Sequence, residues 1–502
     1  MDMKSTLFTA IAALLMALPI AASNYITKGD GTVYTFDKLS TMANTNVFRL
    51  TGHSFTVSDT ITIARGDAFR LDGDEQVRCA TGFVLDIEGG ASFIGQRGSM
   101  EDTDENGDTI TGDSYAKASF FGDPNEYWVR DNVTHEPHPY EIRLNTDAAV
   151  TFRNVSIQSL GITIFKAGEV TIDSCSFSEH NGVSQRAAVS LAGSGLHVAI
   201  TNSRFSKCRK AAIGSAANSF SNLTISGNEF DGNSTENQNI PQVNVTAGPS
   251  VLISGNKVIG DSSLNNVGGI GVGNLMMRAG DFMVTVKGNE IRDNRYGVTF
   301  TGPMSGLIEG NAIINNRYAT AMTGGSGISL YYTGSDNEVV VRANDIEDNL
   351  WGVTLLGNSY YGGNNVNMGK AGAPGNNILK GNGNGGTVYA LYNNQADSVW
   401  AVGNYWLDAS NDSADIARVI FDHSDNASLG VVVFMPANNT TGISSPASAT
   451  TATQGQVSDG IYDLSGRRMG DASVMTRDDK QLPAGVYIIR RGGKSLKVMK
   501  RG

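Results

Sequence analysis

The chain of 502 residues has only three cysteines, Cys79, Cys175 and Cys208. An odd count supports no disulfide framework and leads to the expectation of small buried thiols. Proline is scarce, 11 residues against 60 glycines, and this imbalance points to one elongated, turn-rich body in place of the three domains the length would suggest. A basic excess is also missing. The net charge of -11 disfavours a nucleic-acid partner, because phosphate neutralisation needs a concentrated basic surface. Beyond the N-terminus no run of about 20 apolar residues exists to serve as a membrane anchor. The hydrophobic share of 40% with 8% aromatics is still enough for a long core, which excludes wholesale disorder.

The N-terminus carries Lys4, an apolar run from Leu7 to Ile20, and then the small residues Ala21, Ala22 and Ser23. This reads as a signal peptide over 1–23, so the mature chain is expected to start near Asn24 and to be secreted or placed on the outer cell surface.

Internal repetition dominates the mature chain. Ile-Ser-Gly-Asn-Glu-Phe at 225–230 returns as Ile-Ser-Gly-Asn-Lys-Val at 253–258, Val-Lys-Gly-Asn-Glu-Ile at 286–291 and Ile-Glu-Gly-Asn-Ala-Ile at 308–313. The marker asparagines are Asn202, Asn228, Asn256, Asn289, Asn311, Asn344, Asn377 and Asn404. Val298 and Phe300 alternate with Thr299, so the intervening segments are short strands. Asn and Gly between them turn the chain sharply without a helix. Short strands at a period in the twenties and low thirties fit a coil that stacks on itself.

These residues resemble the right-handed parallel β-helix proteins of the pectate-lyase-like superfold. The resemblance implies an all-β solenoid of roughly ten to twelve coils in which identical side chains form ladders about 4.8 Å apart. Residues 24–148 are expected to form the cap and first coils with an acidic insertion near 99–140, and 149–436 the regular β-helix and its closing cap. A flexible Ser/Thr/Ala/Gly linker is expected over 437–457. Residues 458–502, with Ile461-Tyr462-Asp463-Leu464-Ser465-Gly466 and Leu482-Pro483-Ala484-Gly485-Val486-Tyr487, resemble a type IX (Por) secretion sorting domain. That implies a small β-sandwich and the secretion machinery as a partner.

The superfold is rich in lyases and glycosidases, which implies an extracellular polysaccharide, neutral or acidic, as partner and leaves catalysis open against a non-catalytic adhesion or binding role. Tyr296, Tyr318 and Trp351 fall at matching repeat positions, with Arg295 and Arg317 preceding two of them. Rings outside the sheet would stack on sugar faces while guanidinium groups pair carboxylates. The parity of Tyr296 with Val298 and of Trp351 with Val353 allows the opposite, an inward corner stack. Asp293 and Asp348 occupy equivalent repeat positions with one coil between them, on which Glu309 is placed, a spacing near that of an inverting hydrolase. Asp-Asn at a turn also caps amides. Lys207, Arg209 and Lys210 form a basic cluster suited to a lyase base or to solvent. Asp102, Asp104, Asn106, Asp108 and Asp113 follow the spacing of an acidic Ca²⁺ loop, or form an ordinary acidic surface loop. Gly381 to Gly386 matches a dinucleotide pattern by letter but leads into strand, so no nucleotide cofactor is expected.

Overall fold

The computed structural model describes residues 24–438 except 81, 96, 104–108, 117, 123–140, 181–185, 319–324, 385–388 and 409, together with four strands further on. The chain divides at Thr441 into two compact units. In the first, a coil lays one strand on each of three sheets in chain order, as with Val170–Asp173 on sheet B, Ser176–Ser178 on sheet C and Val189–Leu191 on sheet A, and the coils after Trp351–Leu356 lay strands on sheets B and A only. Sheets A and B hold fourteen strands each and sheet C holds twelve. Within these three sheets the pairing is parallel except where Val47–Arg49 folds back on Ser54–Val57, so every wall is a stack of like positions about 4.8 Å apart. The solenoid is longer than the asparagine repeat alone implies, because the first coils lack those markers. They are held by aromatic ladders instead.

Alternation decides what goes inside. In Val170–Asp173 and Asn222–Ser226 every second residue is buried, and the interior fills with aligned aliphatic and phenylalanine columns. Phe93 stacks on Phe152 at 4.3 Å, and Phe177, Phe205 and Phe230 follow at 4.7 and 5.2 Å. Such pairs contribute about 0.5–1.5 kcal/mol beyond the area they bury.

Two corners turn by side-chain amides. Between sheets B and C, a left-handed residue such as Gly227, Gly255, Gly288 or Gly310 precedes a buried asparagine. Asn289 Nδ2 donates to Asn311 Oδ1 at 2.8 Å, and Asn311 Nδ2 to Asn344 Oδ1 at 2.9 Å. Asn202 is not part of this ladder. It is the left-handed residue itself, φ 50°, and Ser203 takes the ladder place, its N–H donating to Asn228 Oδ1. The second ladder, between sheets C and A, runs Asn233, Gln242, Asn294, Asn316, Asn349, Asn382. The coil after Gly260 puts no asparagine into that ladder. Gln242 reaches in from the coil before and donates to Ile259 O and Asn294 Oδ1.

The ends are closed by short helices. Phe36–Ser40 starts at Thr35, whose hydroxyl oxygen accepts the Lys38 N–H, and plugs the first coil with Phe36, 5.1 Å from Phe69. At the other end Ser413–Ala417 buries Ile416 next to the last strands. The acidic insertion leaves the solenoid at one B-to-C corner as an antiparallel ribbon, Arg97–Thr103 with Thr109–Ala116. All three cysteines are free and buried, and burial pushes the Cys175 and Cys208 thiols up to about 12. The second unit contains a four-stranded antiparallel sheet built from Gly460–Asp463, Arg468–Gly470, Gly485–Arg491 and Lys494–Lys500.

Candidate functional site

The outer face of sheet A changes character along the solenoid. Toward the N-terminal end Glu141 lies almost wholly buried and binds Arg143, at 2.6 Å, Thr163 and Arg186. Arg186 also lies 5.3 Å over the Phe165 ring. Asp86 is the register neighbour of Arg143, and burial raises its carboxyl above the usual range. Glu141 and Arg186 both reach the Thr163 hydroxyl, and Thr163 and Ser190 are buried although they face outward.

Beyond it the face opens. Outward positions become Gly214, Asn244, Gly271, Thr299 and Ser329 along one ladder, with Thr246, Gly273, Thr301 and Tyr331 along the next. Small side chains on five successive coils leave a groove of about 490 Å³, walled by Pro241 and Tyr296 on one side and Leu275 on the other. Four coil spacings make it roughly 19 Å long. Arg295 lines the groove, and its Nε is buried without a partner among the described residues. A buried guanidinium donor of this kind is costly unless something accepts from it.

Tyr296 and Trp351 point out of the sheet, which decides the parity against the inward stack. Gly297 and Gly352 are the reason: a Cβ on Gly297 would meet Gly327 O at 2.4 Å and one on Gly352 would meet Ala390 O at 2.2 Å. Two consecutive residues therefore face the interior at this corner, and the alternation slips by one. The Tyr296 ring lies flat on Gly268, where a side chain would clash at 2.1 Å, and burial raises its phenol. Trp351 stacks on Tyr389 at 5.3 Å and 10°, and touches Tyr392 at 5.3 Å, while Tyr392 stacks on Phe421 at 4.6 Å. The four half-buried rings form a platform that continues the groove toward the C-terminal end.

The other sequence candidates do not converge. Asp293, Asn315 and Asp348 are equivalent corner residues, all with left-handed backbone. Asp293 is held by Arg292 and Asn315, both at 2.6 Å, and by Tyr318 at 3.3 Å. Glu309 is on the intervening coil but ends a strand of sheet B and pairs Arg342 at 2.6 Å, so Asn315 holds the position between the two aspartates. Lys207 pairs Asp261 at 2.9 Å, while Arg209 and Lys210 share Glu236. Hydrogen bonds from Ser263 and then Lys207 hold Asp261 down at about 2. Arg317 follows the ladder residue Asn316 as Arg295 follows Asn294, but it is exposed at the corner. Asp102 and Asp113 belong to the two strands of the ribbon, where their backbone partners are Ile110 and Ser99. Asp104, Asn106 and Asp108 lie outside the described residues.

Tyr331, Tyr389, Tyr392 and Phe421 escaped the sequence reading. Aligning Ala390-Leu391-Tyr392 with Gly352-Val353-Thr354 would have found two of them, since those strands pair in that register. On sheet C, Asp345 is buried, and its carboxyl is pushed up to about 6 by burial first and by Glu347 next.

A family model described as "Right handed beta helix region" matches residues 109–258. The fold is a right-handed parallel β-helix. Among solved structures, a single-substitution variant of the periplasmic alginate epimerase AlgG is similar at 10% identity and a TM-score of 0.37, over 80% of this chain and 83% of that chain. A double mutant of the same enzyme gives 11% identity and 0.36, over 81% and 83%. No curated protein matches the β-helix or the rest of the chain.

Proposed function

We propose that this β-helix binds an extracellular acidic polysaccharide along the outer face of sheet A. The supporting observation is the continuity of the groove with the aromatic platform. A chain running parallel to the solenoid axis meets an open floor over five coils and then the rings of Trp351, Tyr389, Tyr392 and Phe421. Sugar rings have an apolar face that stacks on such aromatics. Arg295 lines the groove and brings to it a guanidinium charge that a uronate carboxylate would pair, with Asn244, Thr299 and Ser329 beside it for hydroxyls. The exported address rests on the signal-like segment over 1–23 and the sorting-like segment over 458–502, and is part of the proposal. Among the described residues no helix is long and apolar enough to cross a membrane.

The test is retention of the mature chain on immobilised neutral and uronic-acid polysaccharides, with unsaturated products and new reducing ends followed in the same samples. Binding of uronic-acid chains, weakened about tenfold by Arg295→Ala and by Trp351→Ala and little changed by Arg317→Ala, is the expected result. Products formed from a retained chain would make the groove an active site. No retention on any polysaccharide would overturn the proposal.

A further inference from the structure

A second row of rings leaves the groove sideways. Tyr331 lines the groove at the end of the sheet A strand Ser326–Tyr331. Its ring centroid is 6.5 Å from that of Tyr332, which is 5.5 Å from Tyr361, and Tyr361 meets Tyr360 edge-on at 4.6 Å. Tyr360 and Tyr361 are 84% and 46% exposed, an unusual place for large rings unless something covers them. They belong to the connection between Trp351–Leu356 on sheet A and Asn364–Asn367 on sheet B. The row therefore runs off the edge of sheet A, across the direction of the groove.

The presentation of these rings is built rather than incidental. Asn358 and Gly362 exchange two backbone hydrogen bonds of 2.9 Å, and Asn358 Oδ1 accepts the N–H groups of Tyr360 at 2.9 Å and Tyr361 at 2.7 Å. Tyr332 is left-handed, φ 58°, a strained conformation for a bulky residue. It is held there because the next residue, Thr333, is locked through both its N–H and its hydroxyl to Asn364 Oδ1. All four residues are tyrosines, so every apolar face carries a hydroxyl at its rim, which suits a polyhydroxylated ring better than a hydrocarbon surface.

We infer that this tyrosine row is a binding arm for a glycosyl side branch, so that the preferred ligand is a branched polysaccharide whose main chain occupies the groove. The inference rests on the proposed polysaccharide binding. A linear chain following the groove cannot also follow a row that crosses it, whereas a branch leaving the main chain at Tyr331 reaches all three remaining rings.

The experiment uses the full mature chain and matched ligands: side-chain-bearing pectin, glucuronoxylan and galactomannan, each compared with the same polymer after enzymatic debranching. The wild type is expected to bind at least one branched form about fivefold more tightly than its trimmed counterpart. The variant with both Tyr360→Ala and Tyr361→Ala should bind the two forms alike, at the trimmed polymer's affinity, and Trp351→Ala should weaken both. Equal wild-type affinity for branched and trimmed forms, or equal weakening of both by the double variant, overturns the arm while leaving the groove reading intact. Retention of none of the six polymers overturns both.

Discussion

Side-chain size decides where a ligand fits on sheet A. Gly273 has ordinary backbone geometry, and its nearest neighbour to an added Cβ is Leu275 Cγ at 3.4 Å, so a larger residue there projects into the groove without disturbing the fold. Gly273→Phe is expected to abolish glycan retention while leaving the circular dichroism spectrum and melting temperature unchanged. Charge decides a second matter. Asp345 keeps its proton to about pH 6 in the folded chain against an ordinary carboxyl value of 3.8, so the folded state binds more protons between those values. Stability from this group is complete below about pH 4 and is lost as pH rises through 6. Asp345→Asn should raise the melting temperature at pH 8 and flatten its fall between pH 4 and 7. A variant that keeps the wild-type slope would mean that another group, not Asp345, holds the proton; Glu347, Asp348 and Lys380 are its charged neighbours.

The asparagine ladders are the element that turns a strand pattern into a coil. Each buried amide closes hydrogen bonds to the coils before and after it, and Asn311 serves as donor to Val286 O and Asn344 Oδ1 and as acceptor for the Asn289 N–H and side chain. Asn311→Ala would strand several buried polar groups at once, at a cost of about 3–5 kcal/mol in chemical denaturation. The left-handed residue before the ladder carries the opposite test. Ala343 has φ 54° at a place where Gly227, Gly255, Gly288 and Gly310 occur in other coils. Ala343→Gly should therefore stabilise by about 0.5–1 kcal/mol, since relief of the left-handed strain exceeds the added chain entropy.

At the scale of the whole chain, the β-helix has its own core and its own closed ends, and among the described residues the strands from Gly460 onward pair only with one another. A chain ending at residue 438 is expected to melt at the same temperature as the longer protein and to bind glycans equally. A drop in either measurement would assign residues beyond 438 a part in the fold or the site. The ends matter for another reason. Exposed strand edges recruit further strands, and here the Phe36–Ser40 helix and the segment around Trp406 and Ile416 cover them with buried apolar residues.

The sequence by itself determined the coil. Alternation in segments such as 222–226 and 283–287, with Gly-Asn between strands, specifies short parallel strands and sharp turns, because both signals act within a few residues of each other. It also brought Arg295, Tyr296 and Trp351 forward by their repeat positions. Tertiary structure alone decided which way those rings face, because the slip at Gly297 and Gly352 arises from contact with the next coil, 30 or more residues further on. It likewise decided that Lys207, Arg209 and Lys210 are spent on Asp261 and Glu236, and that Glu309 belongs to a different wall from Asp293. Chemistry that depends on distances between coils is set by stacking register and loop length, and no single repeat contains either.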